Sequence, residues 1–113
     1  MSEAVLPNNR FKSILDSVPT IVDGDCEWDA DKAAANLEKH GVAFEEAATV
    51  FADTRVAVRD DGSGSVRLLA IGFSVTGRLL AVVHVERGDR DRIVSARAAT
   101  PEEERIYSGG KPT

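Results

Sequence analysis

The sequence predicts an α+β fold: two N-terminal helices packed on one face of a four-stranded, mostly antiparallel sheet, followed by a short C-terminal helix. Three observations carry this reading. Residues 30–51 repeat an apolar stripe at helical spacing on either side of Gly41. Residues 55–98 switch to period-2 alternation interrupted by turn residues. Thr100, Pro101 and Glu103 then have the spacing of a capping box with proline at the first helical position.

With 113 residues the chain predicts one domain, its body in residues 26–113 and an extension in residues 1–25. Within the extension, Phe11, Ile14, Leu15 and Val18 have helical spacing that Pro19 limits. The extension reads either as a segment that docks or as a tail. Helix 1 is expected over about Ala30–His40, capped by Asp29 and ended by Gly41, with Ala30, Ala33, Ala34 and Leu37 as its stripe. Lys39 and His40 suit the C-terminal end of that helix. Helix 2 begins near Phe44 and repeats the pattern with Ala47, Ala48 and Phe51. Its Glu46 has the capping-box position but faces Ala43, where a hydroxyl is expected.

Four strands follow: "RVAVRD", "VRLLAIGFSV", "RLLAVVHVER" and "RIVSARAA". Thr76–Gly77 is the expected tip of the first hairpin and Gly88–Asp91 that of the second, with "DGSGS" a turn or flexible loop before them. This register sets Leu69 opposite His84, Arg67 opposite Glu86, His84 opposite Ser95 and Val82 opposite Arg97. One face then collects Arg67, Leu69, Ile71, Val82, His84, Glu86, Ser95 and Arg97. The other collects Leu68, Ala70, Leu79, Ala81, Val83, Val85, Val94, Ala96 and Ala98, an apolar surface for the helices to cover.

Composition removes several function classes. No apolar run approaches the roughly 20 residues that span a bilayer, so no membrane partner is expected. The N-terminus lacks the charged and apolar regions of a signal peptide. Cys26 is the single cysteine, which excludes an internal disulfide and suits a reducing cytoplasm. A net charge of −5 argues against a general nucleic-acid binder. Locally the sign reverses, because residues 66–97 set six arginines against Glu86, Asp89 and Asp91. Neither metal-ligand spacing, nor a phosphate-binding glycine loop, nor a nucleophile elbow is present, and no cofactor is expected.

An imidazole, a carboxylate and two guanidiniums on one face suit phosphoryl chemistry on RNA, whose 2′-hydroxyl can attack the adjacent phosphate. His84 titrates in the useful range, near an unperturbed pKa of about 6.5. Glu86 is a base, an orienter of the histidine, or the partner of Arg67. Arg67 and Arg97 are placed to stabilise charge building on phosphorus. The same residues also fit a structural reading, with Arg67–Glu86 a cross-strand pair and His84 a satisfied half-buried side chain.

"EWDADKAAANLEKHGVAFEEAATVFAD" and "RLLAIGFSVTGRLLAVVHVERGDRDRIVSARAATPEEERIY" together resemble the BrnT family of type II toxin–antitoxin systems, over residues 26–107. The resemblance implies a RelE-like fold and a ribonuclease toxin that halts translation by cutting RNA. It also implies a BrnA-type ribbon-helix-helix antitoxin, through which alone the complex would reach DNA. Arg97 of "SAR" and Arg67 of "VRLLAIG" look like the family's important arginines. Tyr107 lies where related toxins carry a functional aromatic, and Arg78, Arg87 and Arg92 are candidates for RNA phosphate contacts. The expected function is therefore a metal-independent cytoplasmic RNA endonuclease. The alternative is a catalytically decayed toxin that acts as a protein-interaction module.

Overall fold

The computed structural model describes residues 19–109. The amphipathic spacing at Phe11–Val18 and the last four residues lie outside that range. In chain order the elements are β1 (Thr20–Asp23), β2 (Cys26–Asp29), α1 (Ala30–His40), α2 (Phe44–Ala48), a 3₁₀ turn (Thr49–Ala52), β3 (Ala57–Asp60), β4 (Leu68–Phe73), β5 (Leu79–Arg87), β6 (Arg90–Ala98) and α3 (Pro101–Tyr107).

The fold remains α+β, but its architecture corrects the expectation. The sheet has six strands in the order β1-β2-β6-β5-β4-β3, not four. It is mixed, because β2 runs parallel to β6 while the other pairs are antiparallel. The two extra strands are four residues each, too short to show a period. β1 lies within the expected extension and pairs with β2 from Thr20↔Asp29 to Asp23↔Cys26. The pairing of β2 with β6 joins residues more than sixty positions apart, which no local pattern reports.

α1 forms where its caps place it. Asp29 Oδ1 accepts from the amides of Asp31 at 2.8 Å and Lys32 at 3.2 Å, filling two of the unpaired donors at the helix start. Gly41 closes the helix at φ 71°, a left-handed conformation that costs glycine little. The stripe differs from the expected one: Leu37 is exposed and Asn36 is buried. Asn36 donates to the carbonyls of Val42 (2.9 Å) and Ala96 (2.8 Å) and accepts from Ala96 N–H (3.1 Å), stitching α1 to β6. α2 lacks a side-chain cap at Ala43, as its sequence predicts.

The main core joins Trp28, Val42, Phe44, Ala47, Val50, Ala70, Leu80, Val82, Ile93 and Ala96 between α1, α2 and the sheet. Trp28 meets Phe44 edge-on at 6.0 Å between ring centroids, a geometry worth about 0.5–1.5 kcal/mol beyond its buried area. The 3₁₀ turn presses so closely on β4 that a Cβ at Gly72 would lie 2.9 Å from Val50 Cγ1. A second, smaller apolar layer forms on the other side of the sheet. Ile71 and Ala81 alternate with the main-core residues, are buried too, and lie on the side where α3 packs against β4. Tyr107 seals it, edge-on to Phe73 at 5.4 Å and donating to Asp53 Oδ2 at 2.7 Å.

The strand register is also corrected. β4 and β5 pair as Leu68↔His84 and Leu69↔Val83, one residue from the expected register. The cause is a five-residue loop, Ser74–Arg78, closed by Ser74 N–H to Arg78 carbonyl at 2.8 Å. A slip of one turns a strand over, so β5 presents the opposite set of side chains to each face. A bulge between Val83 and His84 in the β5–β6 pairing then places both Ile93 and Ala96 in the main core and leaves Arg97 on the opposite face.

Candidate active site

Opposed residues in a ladder share a face, which defines the side of the sheet turned away from α1 and α2. One row across it reads Arg59–Leu69–Val83–Ser95. The next reads Ala57–Ile71–Ala81–Arg97. Toward the other end lie Val85–Arg92–Glu27 and then Arg87–Arg90. Arg67 extends β4 by one residue, its carbonyl accepting from Asp61 N–H at 3.3 Å, so it joins the same face. Arg59, Arg67, Arg87, Arg90, Arg92 and Arg97 therefore project to one side of the sheet.

Two of these are anchored. Arg92 pairs with Glu27 at 2.7 Å. Arg97 makes a two-point fork with Glu103, Nη1 to Oε1 at 2.7 Å and Nη2 to Oε2 at 2.9 Å. The fork holds the Glu103 carboxyl below its ordinary range and raises the Arg97 guanidinium above its own. Arg59, Arg67, Arg87 and Arg90 are exposed and make no ion pair among the described residues. This charged surface can bind a polyanion and offer fixed donors to a phosphate.

The structure brings Arg67, Arg87, Arg92 and Arg97 to this face, but not His84 and Glu86. The turned-over β5 sends both of those to the helix side. His84 is 2% exposed, edge-on to Phe51 at 4.8 Å, and its Nδ1 lies 3.0 Å from Asp91 Oδ1. A carboxylate only accepts, so Nδ1 carries the proton. Nε2 is buried and has no partner among the described residues. The expected grouping of His84 with the two arginines is thus replaced by a buried His84 paired with a partly exposed Asp91. Glu86 stands opposite Asp91 rather than Arg67.

Arg78 lies at the β4–β5 loop, where Glu46 takes Nε at 2.9 Å and Nη2 at 2.5 Å. That clasp explains the uncapped Glu46 of the sequence: its carboxylate reaches the hairpin instead of its own helix end. Tyr107 belongs to the α3 layer described above. Arg59, Arg90 and Glu27 were not singled out by sequence, and Glu103 was read only as a capping-box residue. The arginines had a signal in the period-2 spacing of "VAVRD" and "RDR", but the pairing of the two glutamates depends on tertiary contacts. A pocket of about 370 Å³ lies among Asp23, Gly24, Asp25, Cys26, Ala48, Thr49, Phe51 and Ala52, and none of the candidate residues lines it.

Residues 28–103 match the family model described as the ribonuclease toxin BrnT of type II toxin–antitoxin systems. Among solved structures, the chain resembles the Brucella abortus ribonuclease toxin BrnT at 26% identity and a TM-score of 0.53, covering 65% of this chain and 92% of that one. No curated protein matches the chain.

Proposed function

We propose that this chain, which belongs to the BrnT family of ribonuclease toxins of type II toxin–antitoxin systems, holds and cuts RNA on the arginine face of its sheet. The observation that carries the reading is Arg97, held by Glu103 among four arginines that make no ion pair among the described residues. The RNA backbone would lie across Arg59, Arg67, Arg87 and Arg90, whose binding weakens as salt displaces it. With the chain so held, a 2′-hydroxyl loses its proton to solvent and attacks the neighbouring phosphorus, and the P–O5′ bond breaks as the 5′-oxygen takes a proton from solvent. Negative charge grows on the phosphoryl oxygens during that step, where a fixed guanidinium is most effective. Arg67 contributes from the same face. Arg92, anchored to Glu27, and Arg87 line the path of the strand.

Metal independence is part of the proposal. The face supplies its positive charge from guanidiniums, and the described residues gather no group of three or more His, Cys, Asp or Glu side chains able to hold a metal ion. The type II family carries an antitoxin partner. We assign it the BrnA type, a ribbon-helix-helix protein that covers the arginine face and carries the complex's contact with DNA. The site of action is the cytoplasm, and no helix among the described residues is long and apolar enough to cross a membrane.

One observation favours a second reading. With His84 sealed, the arginine face has no histidine, and its carboxylates Glu27 and Glu103 are both engaged by arginines. A decayed toxin that only binds its antitoxin would look the same. Inducible expression without antitoxin separates the two. Cleaved RNA and growth arrest are expected from the wild type. Arg97→Ala should lower cleavage by about 100- to 1000-fold in protein that remains folded. Intact RNA and healthy cells from a folded wild-type protein would leave the decayed-toxin reading.

A further inference from the structure

We propose that Glu103 is a positioning residue for RNA cleavage: it aims the Arg97 guanidinium at the scissile phosphate while holding down its attraction for the uncleaved strand. The inference rests on the reading that Arg97 touches the phosphate.

Glu103 is 8% exposed, and a carboxylate so placed needs partners for both oxygens. It has them. Oε1 takes Arg97 Nη1 at 2.7 Å and the Thr100 amide at 2.9 Å, while Oε2 takes Arg97 Nη2 at 2.9 Å. Thr100 returns the contact, its hydroxyl accepting from Glu103 N–H at 3.2 Å, so the carboxylate is part of the capping box that starts α3. At its other end α3 is pinned through Tyr107 to Asp53 and Phe73. The anchor of Arg97 is therefore a docked helix end and not a loose surface side chain.

A guanidinium has five N–H donors in a rigid fork. Glu103 takes one from each terminal nitrogen, and Nη1 gives its second to the Ala98 carbonyl at 3.2 Å. The Nε–H and the second Nη2 hydrogen have no partner among the described residues. They form an adjacent edge of the fork, whose spacing matches two oxygens of a phosphate. The Arg97 side chain is 40% exposed against 10% for Glu103, so the carboxylate lies on the inner side of the pair and the guanidinium on the outer.

The charges give this arrangement a kinetic consequence. Glu103 offsets the net charge of Arg97, so a phosphodiester in the ground state is attracted weakly. The aimed donors act where the second negative charge develops, in the transition state. Interactions that strengthen only there raise kcat without tightening substrate binding.

The test uses the full chain and an RNA oligonucleotide, with kcat, KM and melting temperature measured for Glu103→Gln, Arg97→Lys and Arg97→Ala. Glutamine still accepts from the Thr100 amide and suits a capping box, but it lacks the charge and the second acceptor. In Glu103→Gln, kcat is expected to fall by roughly 10-fold or more while KM falls severalfold, the pattern of lost aim with stronger ground-state attraction. Arg97→Lys keeps a point charge without a fork, so it should bind RNA near the wild-type KM with kcat as low as that of Arg97→Ala. Unchanged kcat and KM in Glu103→Gln, beside an inactive Arg97→Ala, would overturn the inference and leave the site intact. A rise in KM accompanied by a lower melting temperature would mark Glu103 as merely structural and overturn it too. Should Glu103→Gln fail to fold, wild-type kcat in Arg97→Lys still refutes it. Wild-type cleavage by Arg97→Ala would remove the site itself.

Discussion

On the helix-covered face of the sheet, Ala70, Leu80, Val82, Ile93 and Ala96 are sealed from water. On the opposite face, the sheet presents Arg59, Arg67, Ser95 and Arg97. The polar side chains differ between the two sides in kind. Asn36 on the covered side has its amide committed to the fold, and His84 engages Asp91 through Nδ1. Four arginines on the other side have no ion-pair partner among the described residues. A polar residue's type alone therefore does not identify a site. A buried polar group is hydrogen-bonded because leaving it unpaired costs free energy, and only groups left with unused donors at the surface are available to a ligand.

Mutating the covered side should break stability without touching chemistry. His84→Ala removes a packed ring and leaves Asp91 without its partner, so the chain should lose about 2–4 kcal/mol. Asn36→Ala, which orphans the buried groups of Ala96, should cost about 1–3 kcal/mol. Urea melts read both losses, and cleavage per folded molecule is expected to stay at the wild-type rate. A rate that collapses in folded His84→Ala would return the imidazole to the mechanism and cancel the contrast between the faces.

A subtler division applies within the arginine face. Replacing Arg59 or Arg67 by Ala should weaken RNA binding similarly for all sequences and reduce the salt-dependence slope by about 1 each. Filter-binding titrations at several salt concentrations give that slope. An unchanged slope would show that the strand does not run over β3 and β4.

The smallest effect concerns the clasp between α2 and the β4–β5 loop. The Arg78 fork, followed by the Thr76 and Ser74 hydroxyls, holds the Glu46 carboxyl down to about 2. Its folded value lies below the ordinary value of 4.5, so the stabilisation is present in full above that pH and disappears as pH falls toward 2. Arg78 is well exposed, so the clasp is worth no more than about 1 kcal/mol. The stability gap between wild type and Glu46→Gln should accordingly close in acid. A gap that persists at pH 2 would show the contribution is not ionic.

Much of the helical architecture was legible because its signals are local. Asp29 and Gly41 bound α1 within a few residues of sequence, and Thr100, Pro101 and Glu103 announce α3 in four. The arginine excess over residues 66–97 was legible for the same reason. The strands β1 and β2 were not, because each is only four residues long and β2 pairs with a segment far along the chain. The expected catalytic face failed at one element. β4 and the end of β6 were assigned to the correct side, and β5 was turned over by a loop one residue out of step.

The amino-acid sequence by itself determined where helices start and stop, which segments alternate, and that positive charge gathers in the strand-rich third. Those properties depend on capping donors, glycine conformations and side-chain periods that operate over a few residues. Which of His84 and Arg97 meets solvent was decided only in the folded sheet. A five-residue loop and a single bulge set the register, and alternation then carries every side chain of a strand to one face or the other. Glu103 found Arg97 in the same way, through the docking of a helix whose first turn alone gives no hint of its partner.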